Sequence, residues 1–255
     1  GIHLGWTKEW DVKDVVGKDV SELFSSALAK SGMKNISIAA LCNDTPGTLA
    51  AKRYKNPKCR VGVILGSGTN AAISLPISMI KKWKGPETPT GEMMVNMEWG
   101  NFDKLDLTPY DIQVDKASND RGRQILEKMV SGQYIGEVTK AILEDMAARG
   151  MIFKEGYNRE NFDGLSARSM SDIESDNTLG WYYVRGYLKR LGVVNPSVED
   201  CGVVKRVCAL VSARAARIAA SAIVAAATYA DKDLSEEHVI AVDGALYTEH
   251  PTFKR

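Results

Sequence analysis

Residues 61–75 constrain the fold most tightly. Val61-Gly-Val-Ile-Leu65 is a short β-prone run, and Gly66-Ser-Gly-Thr-Asn70 is a glycine-rich turn. Ala71 to Leu75 reads as the returning strand of a hairpin. Elsewhere, helical and strand patterns alternate. Val20, Leu23, Phe24, Ala27 and Leu28 recur at helical spacing, with Gly32 as a stop. Ile36 to Leu41 predicts a second strand, ending at Asn43-Asp44. Thr45 and Pro46 read as the cap and first position of a helix to about Tyr54.

Met93, Val95 and Met97 alternate with other residues and predict a strand ending at Glu98-Trp99-Gly100. Helical periodicity runs from about Asp120 to Arg149, broken at Ser131-Gly132. Further helices are predicted over Leu179–Leu191, stopped by Gly192, and over the alanine-rich stretch from Val198 to Ala230. Val239 to Asp243 predicts a last strand, meeting Gly244. Neither an internal repeat nor a low-complexity linker interrupts this order. The fold class is α/β, with polar residues placed where strands end.

Composition narrows the function classes. The 33 basic and 32 acidic residues leave a formal net charge of +1 without blocks of like charge, which argues against a nucleic-acid or anionic-membrane surface. Cys42, Cys59, Cys201 and Cys208 form no C-x-x-C pair, and His3, His238 and His250 are scattered. That spacing argues against a zinc site and against a disulfide framework, and suggests reduced thiols in a cytoplasmic protein. The N-terminus carries no basic-plus-apolar signal pattern. The uncharged stretch Ile218–Ala230 is 13 residues long, short of the ~20 a membrane span needs, and is expected to be a buried helix.

Ligands of open α/β sheets sit beyond the carboxyl ends of strands. Here such ends carry Asn43-Asp44, Gly66-Ser-Gly-Thr-Asn70, Asn96-Met-Glu98 and Asp243-Gly244. Polar residues after strands are also ordinary turns and caps. Together, these amides and carboxylates suit a ligand with many hydroxyls. The glycines of residues 66–70 suit close approach to a phosphate and equally a tight hairpin turn. The segment is not a P-loop, since no G-K-[ST] follows.

Leu41-Cys-Asn-Asp-Thr-Pro-Gly-Thr48 resembles the hexokinase signature that carries the catalytic aspartate. Residues 61–70 resemble that family's second phosphate-binding loop, and Val95-Asn-Met-Glu-Trp-Gly-Asn-Phe102 its glutamate-bearing sugar motif. Residues 124–136, Ser212-Ala-Arg-Ala-Ala216 and Val242-Asp-Gly244 are similar to the later blocks, in the same order. The resemblance implies the large lobe of the hexokinase fold, which is ribonuclease H-like and actin-like, with a mixed sheet flanked by helices. By this likeness residues 1–255 are that large domain. The Asp-Gly-Gly-Thr loop, the smaller lobe's sugar contacts and a final segment are absent from the sequence.

The implied activity is ATP-dependent phosphorylation of a hexose such as glucose at its 6-hydroxyl. Asp44 would be the general base. Thr7, Lys8, Asn43, Asp44, Asn70, Glu98, Gln124 and Glu127 would bind the sugar. Ser67, Gly132, Gln133, Ala213, Arg214, Ala215, Ala216, Arg217, Gly244 and Ala245 would lie near the nucleotide. Mg2+ would arrive on ATP, without protein ligands of its own. Ala213 and Ala245 replace hydroxyl residues of relatives, each forgoing a hydrogen bond worth about 1 kcal/mol. The alternative is a non-catalytic sugar sensor of the same family; the presence of Asp44 favours the enzyme. The chain by itself is expected to be inactive.

Overall fold

The computed structural model describes residues 1–6 and 12–254 and divides into two compact units, residues 1–43 and 44–255. In the first unit, helix α1 spans Val20–Lys30. The Asp19 carboxylate caps it by accepting from the Ser21 and Glu22 amides, and also holds the Gly1 amine at 2.6 Å. Gly32, with φ +78°, ends the turn after α1 as the sequence predicts. The predicted strand over residues 36–41 is a correction: the segment has no regular structure. A strand is held by a ladder to a neighbour, and none pairs with it among the described residues.

The second unit opens with α2, Asp44–Lys55, in which Asp44 is the first helical residue and Thr45 already lies inside. The hairpin is present as β1, Cys59–Leu65, antiparallel to β2, Thr69–Pro76. Strand β3, Glu92–Asn96, adds antiparallel to β2. After it come α3 (Pro109–Ala117), α4 (Ile125–Val130) and α5 (Ile135–Ala148). Then α6 (Ala167–Ser175), α7 (Tyr182–Arg190) and α8 (Val198–Ala230) follow. Strand β4, Val239–Asp243, lies parallel to β1 and precedes α9, Ala245–Glu249. The sheet is mixed, in the order β3-β2-β1-β4.

Both faces of the sheet are covered. On one face Leu49 of α2 packs with Cys59, Ala72 and Ala241. A Cβ at Gly62 would stand 2.7 Å from the Leu49 side chain, so α2 can lie this close only over a glycine. Val61, Val63 and Ile73 point to the other face, into a core shared with α4, α5 and α8.

Helix α8 starts from a capping box, with Ser197 and Asp200 satisfying each other's backbone amides. Its first half is the spine of the core through Val204, Cys208, Val211 and Ala215. The expectation of a buried stretch over 218–230 needs correction: only Ala219, Ala226 and Ala227 are buried there, and Val224 is 55% exposed. Alanine spacing gave that stretch helical propensity without giving it a second wall. By length and composition α8 is long and apolar enough to cross a membrane, with 33% of its most apolar window buried in the protein.

Candidate active site

The ends of β2 and β3 converge on a network of amides and a carboxylate. Asn70 Nδ2 donates to Asn96 Oδ1 at 2.7 Å and to Glu98 Oε1 at 3.3 Å. Asn96 Nδ2 donates to the same Glu98 oxygen at 2.6 Å. The Asn70 carbonyl oxygen accepts from the Ala71 amide, which fixes the orientation of its side-chain amide. Antiparallel pairing causes this meeting, because register places Asn96 opposite Ala72, two residues from Asn70. Glu98 follows the strand with φ +50°. Such a conformation costs a non-glycine residue about 1–3 kcal/mol and is concentrated at functional sites.

A second carboxylate sits behind this network. Glu127, on α4, is buried and accepts the Thr69 amide at 3.0 Å through Oε2. The Thr69 hydroxyl in turn accepts the indole N–H of Trp99, also at 3.0 Å. Gly100 lets these pieces meet: a Cβ there would lie 2.6 Å from Gln124 Oε1 and 3.3 Å from Glu127 Cβ. Gln124, itself at φ +53°, donates its amide to Asn101 Oδ1. The expected helix from Asp120 therefore begins only at Ile125. Lys128 explains the interruption, since its almost fully buried ammonium binds Asp115, Asp120 and the carbonyls of Asp120 and Arg123. Burial pushes Asp115 up, but the hydrogen bonds from Lys128 and the Gly122 amide outweigh it and hold the carboxyl below its usual range.

Along the same β1–β2 turn, Gly66 and Ser67 line a cavity of about 530 Å³. The opposite walls come from Gly132 and Gln133, from α6, and from the segment after β4. The Gly132 amide donates to Gly66 O at 2.8 Å, and the Gln133 amide to Ser67 O. A Cβ on Gly132 would stand 2.9 Å from that Gly66 oxygen. One on Gly244, at φ +116°, would stand 2.3 Å from Leu65 O. At both positions only a glycine lets these backbone segments close on the end of β1 and its turn. Arg168 supplies a cation at the wall, 3.5 Å from Glu249.

Glu174, Ser212, His250 and Thr252 tie two of these walls to α8. Ser212 Oγ donates to Glu174 Oε1 at 2.6 Å, and Thr252 Oγ1 to Glu174 Oε2 at 2.8 Å. His250 Nε2 lies 3.5 Å from Glu174 and 3.3 Å from Ser212 Oγ. Burial holds the imidazole pKa below its usual value, partly opposed by the Glu174 charge.

The structure thus brings Asn70 and Glu98 into direct contact, and joins Gln124 and Glu127 to them through Thr69 and Gly100. Ser67, Gly132, Gln133 and Ala245 line the cavity, and Gly244 adjoins it. Asp44 stands exposed at the start of α2, its Oδ1 accepting from the Thr45 hydroxyl at 3.2 Å. Asn43 belongs to the first unit, and Thr7 and Lys8 lie outside the described residues. Residues 213–217 sit on α8; Ala215 is buried in the core. The Arg214 fork is engaged bidentately with Asp111, at 2.9 and 2.7 Å. Ala213, Ala216 and Arg217 contribute nothing to the lining of the cavity.

Sequence reasoning missed Asn96 as a site residue, although it had marked the Asn96-Met-Glu98 strand end. It also missed the α6 wall, for which the capping box of Ser166 and Ser169 was the available signal.

Two hexokinase family profiles match the chain, one over residues 1–54 and one over 60–255. The chain is 36% identical to the hexokinase-1 of Spinacia oleracea, covering 100% of the chain and 53% of that protein. Against human hexokinase HKDC1 the identity is also 36%, over 28% of that protein. Among solved structures, the Schistosoma mansoni hexokinase complexed with glucose superposes with a TM-score of 0.88 at 32% identity, covering 99% of this chain and 57% of that one. The chain spans about half the length of the plant relatives and of that structure. With this sheet order, these strand-end motifs and these matches, the chain belongs to the hexokinase family.

Proposed function

We propose that the protein carrying this chain transfers the γ-phosphoryl group of ATP to the 6-hydroxyl of a hexose such as glucose. One observation supports this most strongly. The five residues 66–70 serve both constellations: Gly66 and Ser67 line the cavity, while Thr69 binds Glu127 and Asn70 binds Glu98. A sugar held by the carboxylates and amides would therefore lie one turn away from phosphates held against the backbone. Glucose in the Schistosoma mansoni complex agrees with a hexose as the ligand.

The residues present fit a nucleotide phosphate chain, because Gly66 and Gly132 bring bare backbone to the cavity wall and Arg168 brings a cation. ATP, bound with Mg2+ on its phosphates, supplies the phosphoryl group. Glu98, Asn70 and Glu127 would orient the sugar hydroxyls by accepting and donating in fixed directions. Asp44 would accept the proton of the 6-hydroxyl as its oxygen forms the new bond to phosphorus and the bond to ADP breaks. Phosphoryl transfer asks a protein mainly for positioning and one proton acceptor, and such a base contributes about 10²–10⁴-fold. The experiment is a coupled assay of hexose phosphorylation by the full-length protein and its Asp44→Ala variant. A kcat lower by at least about 10²-fold, with glucose affinity changed less, is expected. Undiminished turnover in the variant would remove Asp44 from the mechanism.

A further inference from the structure

A second cavity, of about 540 Å³, lies between α6 and α7, outside every residue assigned above to sugar or nucleotide. Its volume is in the range of small-ligand sites. Helix α7 presents Tyr182, Tyr183 and Tyr187 to it, together with Arg185, Lys189 and Arg190. We propose that this cavity binds a small aromatic anion, a flat ring bearing a phosphate group.

The charge balance favours an anion. Two carboxylates also line the cavity, but both are committed elsewhere. Asp176 accepts from the amides of Thr178 and Val184 and from the Thr178 hydroxyl, at 2.9, 2.9 and 2.6 Å. Asp172 is 59% exposed at the rim and faces Arg168 at 3.7 Å. Arg185, Lys189 and Arg190 thus outnumber the carboxylates along this wall, and Arg185 also hydrogen-bonds inward to Cys201. The Arg190 guanidinium lies over the Tyr187 ring at 5.0 Å, which holds its planar fork ready for two oxygens.

The aromatic half rests on the tyrosines. Tyr182 and Tyr183 are 73% and 63% exposed and meet edge to face, with centroids 5.5 Å apart. Exposed rings beside fixed cations offer a flat ligand stacking area at little entropic cost. The wall is also preformed. Lys205 of α8 lies over the Trp181 ring at 4.8 Å and donates to the Asp176 carbonyl, which anchors the start of α7.

Phenyl phosphate is the probe, titrated calorimetrically into the full chain with phenol and inorganic phosphate as references. A Kd of about 1 mM or tighter is expected for phenyl phosphate, with both references at least about tenfold weaker. Arg190→Gln, at an exposed position, should weaken phenyl phosphate at least about tenfold with an unchanged melting temperature, and Lys189→Gln should act in the same direction. Because Asp172 and Ser175 border both cavities, Gln133→Ala serves as the control for the other one and should leave this binding unchanged. No binding by the wild type, equal binding by the two α7 variants, or a loss confined to Gln133→Ala would overturn the proposal. Inorganic phosphate binding as tightly as phenyl phosphate would overturn its aromatic half.

Discussion

Glu98 accepts from two amide side chains while sitting in a left-handed backbone conformation, so its charge and position are both set by neighbours. Glu98→Gln keeps the shape and an oxygen that can accept from Asn70 and Asn96, but removes the charge and turns the other oxygen into a donor. We expect glucose Kd to rise tenfold or more, about 1.4 kcal/mol, measured calorimetrically in the full-length protein. An unchanged Kd in a folded variant would exclude this carboxylate from the sugar site. Lys128 is a different case, since nothing assigns it to a ligand. Its 3% exposure leaves Asp115 and Asp120 dependent on it, and removing one partner of a buried ion pair typically costs 3–5 kcal/mol. Lys128→Met should lower stability to urea on that scale and weaken glucose binding through the displaced Gln124–Glu127 segment. A variant as stable as wild type would show that the network carries no load. Glu98 and Asn70 stood out because strand ends and family motifs coincide there, and Glu127, on α4, only through its motif. Lys128 and Glu174 did not, because nothing in a linear pattern distinguishes a buried lysine or glutamate from a solvated one.

Elements with a strong apolar pattern were legible, including the edge strands β3 and β4. The hairpin β1–β2, β3, β4 and α8 were predicted from alternation, apolar runs and alanine-rich periodicity. Helix α3 went unseen although Thr108 and Asp111 make a complete capping box around Pro109. Helix α6 is short and polar, and its buried residues are Ser169, Met170, Ile173 and Glu174. The run at 36–41 failed in the opposite sense: it has strand propensity but no described neighbour to pair with.

The link between α6, α8 and the segment after α9 is polar, and that makes it sensitive to pH. His250 is held neutral by burial, with its pKa below the ordinary 6.5. The unfolded chain therefore binds a proton at higher pH than the folded one, so stability is complete above about 6.5 and falls as pH drops below it. Thermal melts should show Tm declining between pH 7 and 5.5, and His250→Asn should show less of that decline. Identical pH slopes in the two proteins would contradict this assignment.

At the scale of the molecule, the four-stranded sheet and its turn at residues 66–70 position a polar network and a glycine-lined cavity side by side. Catalysis by such an arrangement also requires water to be excluded while both ligands are bound. The chain covers 53% of the spinach hexokinase-1 to which it is similar. The 255-residue chain alone should bind glucose yet phosphorylate it negligibly at saturating Mg-ATP. Turnover near 1 s⁻¹ from the isolated, monodisperse chain, within the ~1–100 s⁻¹ usual for kinases, would show that these residues suffice.

The most direct measurement is ATP-coupled phosphorylation of glucose by the full-length protein, with the product identified by NMR. The proposed function predicts glucose 6-phosphate, formed at a rate on the order of 1–100 s⁻¹ and with one ADP per sugar. Binding of both glucose and Mg-ATP without any phosphorylated sugar would contradict a kinase and leave a sugar sensor in its place.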